Sequence, residues 1–343
     1  MIRSDRRFSY EEAQERLETG KGDFAKELKK LNELAYKLRD ERFAKGAVNF
    51  ETTEIKFLLD KKGKPLKVIP KERKDAHKLI EDFMLLANRR VAEFVYNKHE
   101  GKERRTFVYR IHDEPDEEKL ELFENFARKF GHRMNIRQMG VSKALNKLID
   151  EIQGKPEQNV LENLAIRSMA KAKYSTAEKG HFGLAFDHYT HFTSPIRRYP
   201  DMMSHRLLAR YLSNDRQVSR DDFEKKCIHS SEREKLAADA ERASIKYKQV
   251  EFMLDKVGEI FEGLISGVTD WGIFVEIIET KSEGMVRLSS LLDDYYEYDE
   301  KNYRIIGRRN KKIFALGDKV NVRVIRADID RRTIDLELAD DYE

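Results

Sequence analysis

Leu28, Leu31, Leu34, Ala35 and Leu38 recur three and four residues apart between charged faces, which predicts helix over residues 10–45. The period then changes. Ile55–Leu59 and Leu66–Ile69 are short β-branched and aromatic runs separated by Asp-Lys-Lys-Gly-Lys, a hairpin pattern. A broad apolar face (Leu79, Ile80, Phe83, Met84, Ala87, Val91, Phe94, Val95) predicts a strong helix from about Asp75 to Lys98. Two or three further helices are expected between Asp116 and Asp150 and from Gln158 to Lys173, the first opened by the acidic run Asp113–Glu118. Residues 180–200 break the helical pattern with glycine, proline, aromatics and histidines; helices resume at Asp201–Leu212 and Asp221–Met253. From Gly258 the pattern is all β. Gly258–Ser266, Gly272–Ile278, Gly284–Leu288, Lys319–Ala327 and Thr333–Leu338 read as five short strands, which suit a small closed barrel of the oligonucleotide-binding type. The expected fold class is α+β, with a helix-rich first part at 1–256 and a five-stranded OB-fold β-barrel at 257–340.

Composition refines this reading. The 343 residues are 40% apolar and 38% charged, and no apolar run of membrane-spanning length occurs. No membrane association is expected. The opening MIRSDRRFSYEEAQ carries no apolar secretory core, and the one cysteine, Cys227, fits a reducing compartment, so a cytoplasmic protein is expected. The neighbours of Cys227 suggest a helical surface and an inert thiol, with no Cys/His partner for a metal. The net charge of +4 comes from 67 basic and 63 acidic residues, so polyanion binding depends on local clustering.

Two segments carry candidate chemistry. In the barrel, Trp271 and Phe274 flank Gly272, Arg287 follows on the next strand, and Arg304, Arg308, Arg309, Lys311 and Lys312 form a basic loop. Outward aromatics beside cations stack bases and hold phosphates; the same aromatics turned inward fill a core. The second segment is HYTHFTSPIRRYPD, residues 188–201. Ser194-Pro195 restricts the backbone, Pro200-Asp201 is a helix-start pattern, and Arg197 and Arg198 offer fixed forks of donors suited to phosphate or to a structural carboxylate.

The barrel segments GEIFEGLISGVTDWGIFVEI, EGMVRLSSL and GDKVNVRVIRADIDRRTIDLEL resemble the S-one-type RNA-binding domain from Gly258 to Leu338, with Arg287 where that family often has histidine. HYTHFTSPIRRYPDMMSHRLL, preceded by IRSMAKAKYSTAEKGHFGLAF, resembles the RNase II/RNase R (RNB) family, nearer its RNase R branch. IRSDRRFSYEEAQ, FETTEIKFLLDKKGKPLKVIPKERKDAHKLIEDFMLLAN and YRIHDEPDEEKLELF extend that resemblance across most of residues 1–256. It implies a 3′-to-5′ exoribonuclease that hydrolyses single-stranded RNA to nucleoside 5′-monophosphates with Mg²⁺. By resemblance, Arg197 neutralises charge on the scissile phosphate, and Arg198 contacts the same phosphate or a neighbour. Phe50 stacks on the terminal base, while Tyr10 and the pair Glu81-Asp82 sense the sugar. Trp271, Phe274 and Arg287 lie on the barrel's RNA face.

One departure matters. The family's aspartate cluster for Mg²⁺ lies upstream of every segment matched here, and Asp113–Glu118, Asp221-Asp222, Asp293-Asp294 and Asp340-Asp341 read as solvated charge. The expectation is therefore a truncated portion, inactive alone. It would work with single-stranded RNA and with a separate chain carrying the N-terminal half, the ligands for Mg²⁺ lying outside this chain. The alternative is a non-catalytic single-stranded RNA-binding module.

Overall fold

The computed structural model describes residues 3–48, 54–100, 103–155 and 157–339. The predicted first helix divides in two. Helix α1 (Tyr10–Thr19) starts in a capping box, in which Ser9 Oγ accepts from Glu12 N and Glu12 Oε2 accepts from Ser9 N; it stops at Gly20, whose φ is +67°. Helix α2 (Ala25–Ala44) follows, then the antiparallel hairpin β1 (Glu54–Leu59) and β2 (Pro65–Lys71), and helix α3 (Asp75–Tyr96). Buried Asp82 of α3 ties these helices together by accepting from Arg39 Nη2 at 2.8 Å and Arg42 Nη2 at 3.4 Å.

Strands β3 (His99–Glu100) and β4 (Glu103–Arg104) form a small hairpin ahead of β5 (Tyr109–Ile111). Helices α4 (Glu117–Lys129), α5 (Ile136–Met139), α6 (Val141–Ile152) and α7 (Gln158–Ser168) pack together, and β6 (Lys173–Ser175) returns to pair with β5. Part of the acidic run is structural: Asp116 caps α4 by accepting from Lys119 N at 3.1 Å. After the motif come α8 (Tyr199–Leu212) and α9 (Arg220–Leu254).

At 35 residues α9 is about 52 Å long and forms the spine of the molecule. Its first half enters a core with Phe107, Tyr109, Met203, Leu207 and Tyr211, and Cys227 lies in that core, fully buried. Its neighbours Lys225, Lys226, Ile228 and His229 form the expected helical surface, but Cys227 itself points inward, because each residue steps about 100° around the helix. At its other end Val250 and Met253 join α4, α6, α7 and the barrel interior in one continuous cluster.

The five predicted strands are β7 (Ile260–Val268), β8 (Gly272–Ile277), β9 (Glu283–Arg287), β13 (Lys319–Asp328) and β14 (Thr333–Leu338). They close in the order β13–β14–β9–β8–β7, with β14 parallel to β9 and the other pairs antiparallel. Ile265, Ile273, Val275, Ile277, Val286, Val322 and Val324 fill the interior with no exposure, each contributing about 1.5–3 kcal/mol of burial. Gly272 allows β8 to approach β9, since a Cβ there would sit 2.2 Å from the Val286 carbonyl oxygen.

Of the expected basic loop, Arg308, Arg309, Lys311 and Lys312 do lie in a turn, while Arg304 stands on a strand. Between β9 and β13 lies a separate antiparallel sheet, β10 (Tyr296–Asp299), β11 (Arg304–Gly307) and β12 (Ile313–Ala315). Alternating buried Tyr296, Ile305 and Phe314 give it an apolar face, and the abundant charges of the segment mask that alternation in the sequence.

Candidate nucleic-acid interface

The motif at 188–201 forms a tight turn into α8. The Ser194 carbonyl accepts from both Arg197 N and Arg198 N, and Pro200 occupies the first turn of the helix, where its missing N–H costs nothing. Asp201, with no exposure, accepts from Ser194 N at 2.7 Å and from Arg198 Nη2 at 2.9 Å. The two arginines therefore differ in kind. Arg198 is clamped on a buried carboxylate. Arg197 is exposed, and its guanidinium makes no hydrogen bond or ion pair with any described residue. Ile196, fully exposed, stands beside it.

The turn is held from behind. Asn88 of α3, buried, accepts from Phe192 N at 2.9 Å and Thr193 N at 3.2 Å and donates to the Tyr189 hydroxyl at 3.0 Å. His205 Nε2 donates to the Phe192 carbonyl, and the two rings stack at 3.8 Å. Thr190 Oγ1 donates to the Val108 carbonyl at 2.6 Å, and the Tyr174 hydroxyl shares a hydrogen bond of 2.7 Å with His191 Nδ1. Burial, reinforced by Arg198 and Arg110, pushes the His191 pKa down to about 2; burial, then His112 and Arg110, push His181 down to about 3. Both rings are neutral at physiological pH and serve as packing and hydrogen-bonding groups. Neutral imidazoles suit a site that already holds three arginines.

Beside this turn runs a cleft of about 1750 Å³ walled by the β1–β2 hairpin, α7, β6, α9 and the barrel. Lys56, Lys155, Lys171, Lys173 and Arg242 line it, and lysines and arginines outnumber glutamates around its wall. Arg110 and Lys173 connect cleft to turn: Arg110 N donates to the Tyr189 carbonyl, and Lys173 precedes Tyr174, the partner of His191. Such a cleft concentrates a polyanion.

The other predicted residues fall in separate places. Tyr10 is nearly half exposed and stacks on His77 at 4.2 Å. Glu81, one helical turn beyond His77, is ion-paired with Arg73 and exposed. Its sequence neighbour Asp82 points the other way into the Arg39–Arg42 clamp, so the two carboxylates do not act as a pair. Phe50 lies outside the described residues. On the barrel, strand alternation puts Phe274 on the outer surface over Gly267, opposite Met285, and not among the interior residues. Trp271 is 73% exposed, and Arg287 sits opposite Gly272, 3.5 Å from Asp335. Trp271, Phe274 and Arg287 thus share the β8–β9 edge.

Asn88 and the role of Asp201 escape sequence reasoning. A polar residue on the apolar face of a predicted helix is the only sign of Asn88, and its three partners are about a hundred residues away. The cleft likewise escapes, because its cations come from stretches scattered between Lys56 and Lys319. Among the described residues no three His, Cys, Asp or Glu side chains converge where a metal could be held. The carboxylates nearest the turn have other partners: Asp201 holds Arg198, Glu234 holds Arg110, and Glu224 accepts from Ser175 and Thr176. The described residues do not fit a magnesium centre.

Comparison with known proteins agrees with this architecture. The RNB domain matches residues 1–214. The chain belongs to the RNB domain family. Within it, the S1 RNA binding domain matches residues 254–339, the barrel and its inserted sheet. Ribonuclease R of Aquifex aeolicus is 38% identical over 359 residues, covering 100% of this chain and 49% of its own length. Ribonuclease R of Escherichia coli is 34% identical over 324 residues, covering 91% of this chain and 39% of its own. This RNB-family chain thus spans about half the length, or less, of these curated relatives. Mycoplasma genitalium RNase R, solved in complex with ribose methylated single-stranded RNA, superposes with a TM-score of 0.89 at 26% identity, over 97% of this chain and 53% of that one. The yeast pseudonuclease Ssd1 shares the fold at a TM-score of 0.66 and 20% identity, over 87% of this chain and 37% of its own.

Proposed function

We propose that this chain provides the phosphate-contacting and RNA-guiding part of a 3′-to-5′ exoribonuclease of the RNase R type, which hydrolyses single-stranded RNA to nucleoside 5′-monophosphates. The observation that carries this reading is Arg197, an unpaired guanidinium on a turn made rigid by Asp201, Asn88 and His205. A cation fixed before substrate arrives stabilises negative charge as it builds on a phosphate and needs no reorganisation at that moment. Arg198 and Asp201 position the turn. The basic cleft leads RNA toward it, and Trp271, Phe274 and Arg287 hold the strand farther out by stacking and phosphate contact. Tyr10, at the start of α1 and stacked on His77 of α3, and Glu81 of α3 would sense the terminal sugar.

Hydrolysis in this family is expected to depend on a divalent ion. The described residues offer no donor set for one, so its carboxylates come from the length of the relatives that this chain does not span, on the same polypeptide or a separate one. The test is degradation of 5′-labelled single-stranded RNA by the purified chain, in Mg²⁺ and in EDTA, alone and with the complementary segment of a relative. RNA binding alone, with metal-dependent release of mononucleotides only after complementation, is expected. Arg197→Ala should then abolish release and leave binding nearly intact; a large loss of binding would instead make Arg197 a ground-state contact.

That no metal donor set occurs among the described residues also favours a second reading, a non-catalytic single-stranded RNA-binding module. Binding that persists with no release in any complemented mixture would select it.

A further inference from the structure

We propose that the tip of the inserted sheet, residues 307–312 with Tyr295, is a second RNA grip that holds the phosphate backbone of a single strand beside a base stacked on Tyr295. This rests on the RNA-binding reading above. Arg308, Arg309, Lys311 and Lys312 place four cations in the turn between β11 and β12, with no acid among them. Their mutual repulsion opposes a compact turn, yet the turn is tightly built. Asp294 Oδ2 accepts from Arg309 N at 2.6 Å and Asn310 N at 2.7 Å, and Asp293 Oδ2 accepts from Asn310 Nδ2 at 3.0 Å. Asn310 Oδ1 accepts in turn from Lys312 N at 2.9 Å. A Cβ at Gly307 would lie 2.0 Å from that same oxygen, so any side chain there would displace the Asn310 amide that braces the turn. Lys311 is held at φ +58°, a strained backbone for a residue with a side chain.

Asp293 and Asp294, expected as solvated charge, are therefore the scaffold of this turn. They face inward to amides, and the side chains of Arg309 and Lys311 are left without an ion pair or hydrogen bond among the described residues. Tyr295 is 66% exposed, with the Arg308 guanidinium 4.7 Å from its ring centroid and paired to Glu297. A cation behind one face leaves the other for a base. An acidic protein surface would satisfy the cations but would leave the exposed ring without a role.

The test titrates a fluorescent oligouridylate against the full chain across a salt series. Arg309→Ala with Lys311→Ala should weaken binding and make the slope of log K against log salt shallower by about 1.4, from two single-strand phosphate contacts at about 0.7 each. Tyr295→Ala should weaken binding about tenfold with the slope unchanged. If the parent chain binds and both variants keep its affinity and slope, the tip is not an RNA grip, and an acidic protein partner takes its place while the RNA-binding reading stands. A parent chain that does not bind the oligomer removes both.

Discussion

Asn88→Ala tests whether the arginine turn is held from behind as described. The substitution removes two acceptor contacts to Phe192 N and Thr193 N and one donor contact to the Tyr189 hydroxyl. The tyrosine contact is buried and the other two are partly buried, and nothing else in the described structure takes their place. A buried polar group left without a partner costs about 1–3 kcal/mol, and a partly buried one about 0.5–1.5 kcal/mol. The expected loss is about 2–6 kcal/mol, a large share of a domain's usual stability. Urea denaturation measures the total, and amide exchange at Phe192 and Thr193 locates it: both should exchange faster while amides of the barrel do not. A loss below about 1 kcal/mol with unchanged exchange at these two amides would refute the reasoning, because water or a shifted side chain would then satisfy the same groups.

Gly272→Ala should unfold or severely weaken the barrel, by about 2–4 kcal/mol in urea melts, since its Cβ would clash with backbone that cannot move away; a neutral result would mean β8 and β9 are farther apart. His181 and His191 titrate far below the ordinary 6.5 in the folded chain, so the stability present above that pH falls as acid protonates the unfolded state first. Each should cost about 1.4 kcal/mol per pH unit below 6.5, with lesser losses from His112 and His188; urea midpoints that stay flat from pH about 6.5 to 4.5 would count against burial of these rings. Burial pushes the Cys227 thiol up to about 12, so it should resist a thiol reagent at mildly alkaline pH and react fully once urea unfolds the chain; prompt native labelling would place α9 wrongly.

Much of this protein is legible from sequence by itself, and the boundary has a physical basis. Strand alternation in Ile273, Val275 and Ile277 marks the barrel interior, because successive residues of a strand face opposite ways, while the outward side of Phe274 is decided by the register of β8 against β7 and β9. Helix periodicity likewise places α3, and the order of short motifs indicates the family. Where local chemistry and long-range contact compete, sequence is silent. Arg197 and Arg198 are adjacent and identical in type, and only the buried position of Asp201 separates a clamped guanidinium from a free one. Glu81 and Asp82 are adjacent and alike in charge, yet a 100° step around α3 sends one to solvent and the other between Arg39 and Arg42. Asp293 and Asp294 read as solvated acid until the turn of residues 307–312 folds back on them. Periodicity records which way a side chain leaves its own backbone. What it meets there is set by how the rest of the chain folds around it, and the energy of a buried charge or hydrogen bond depends on that meeting.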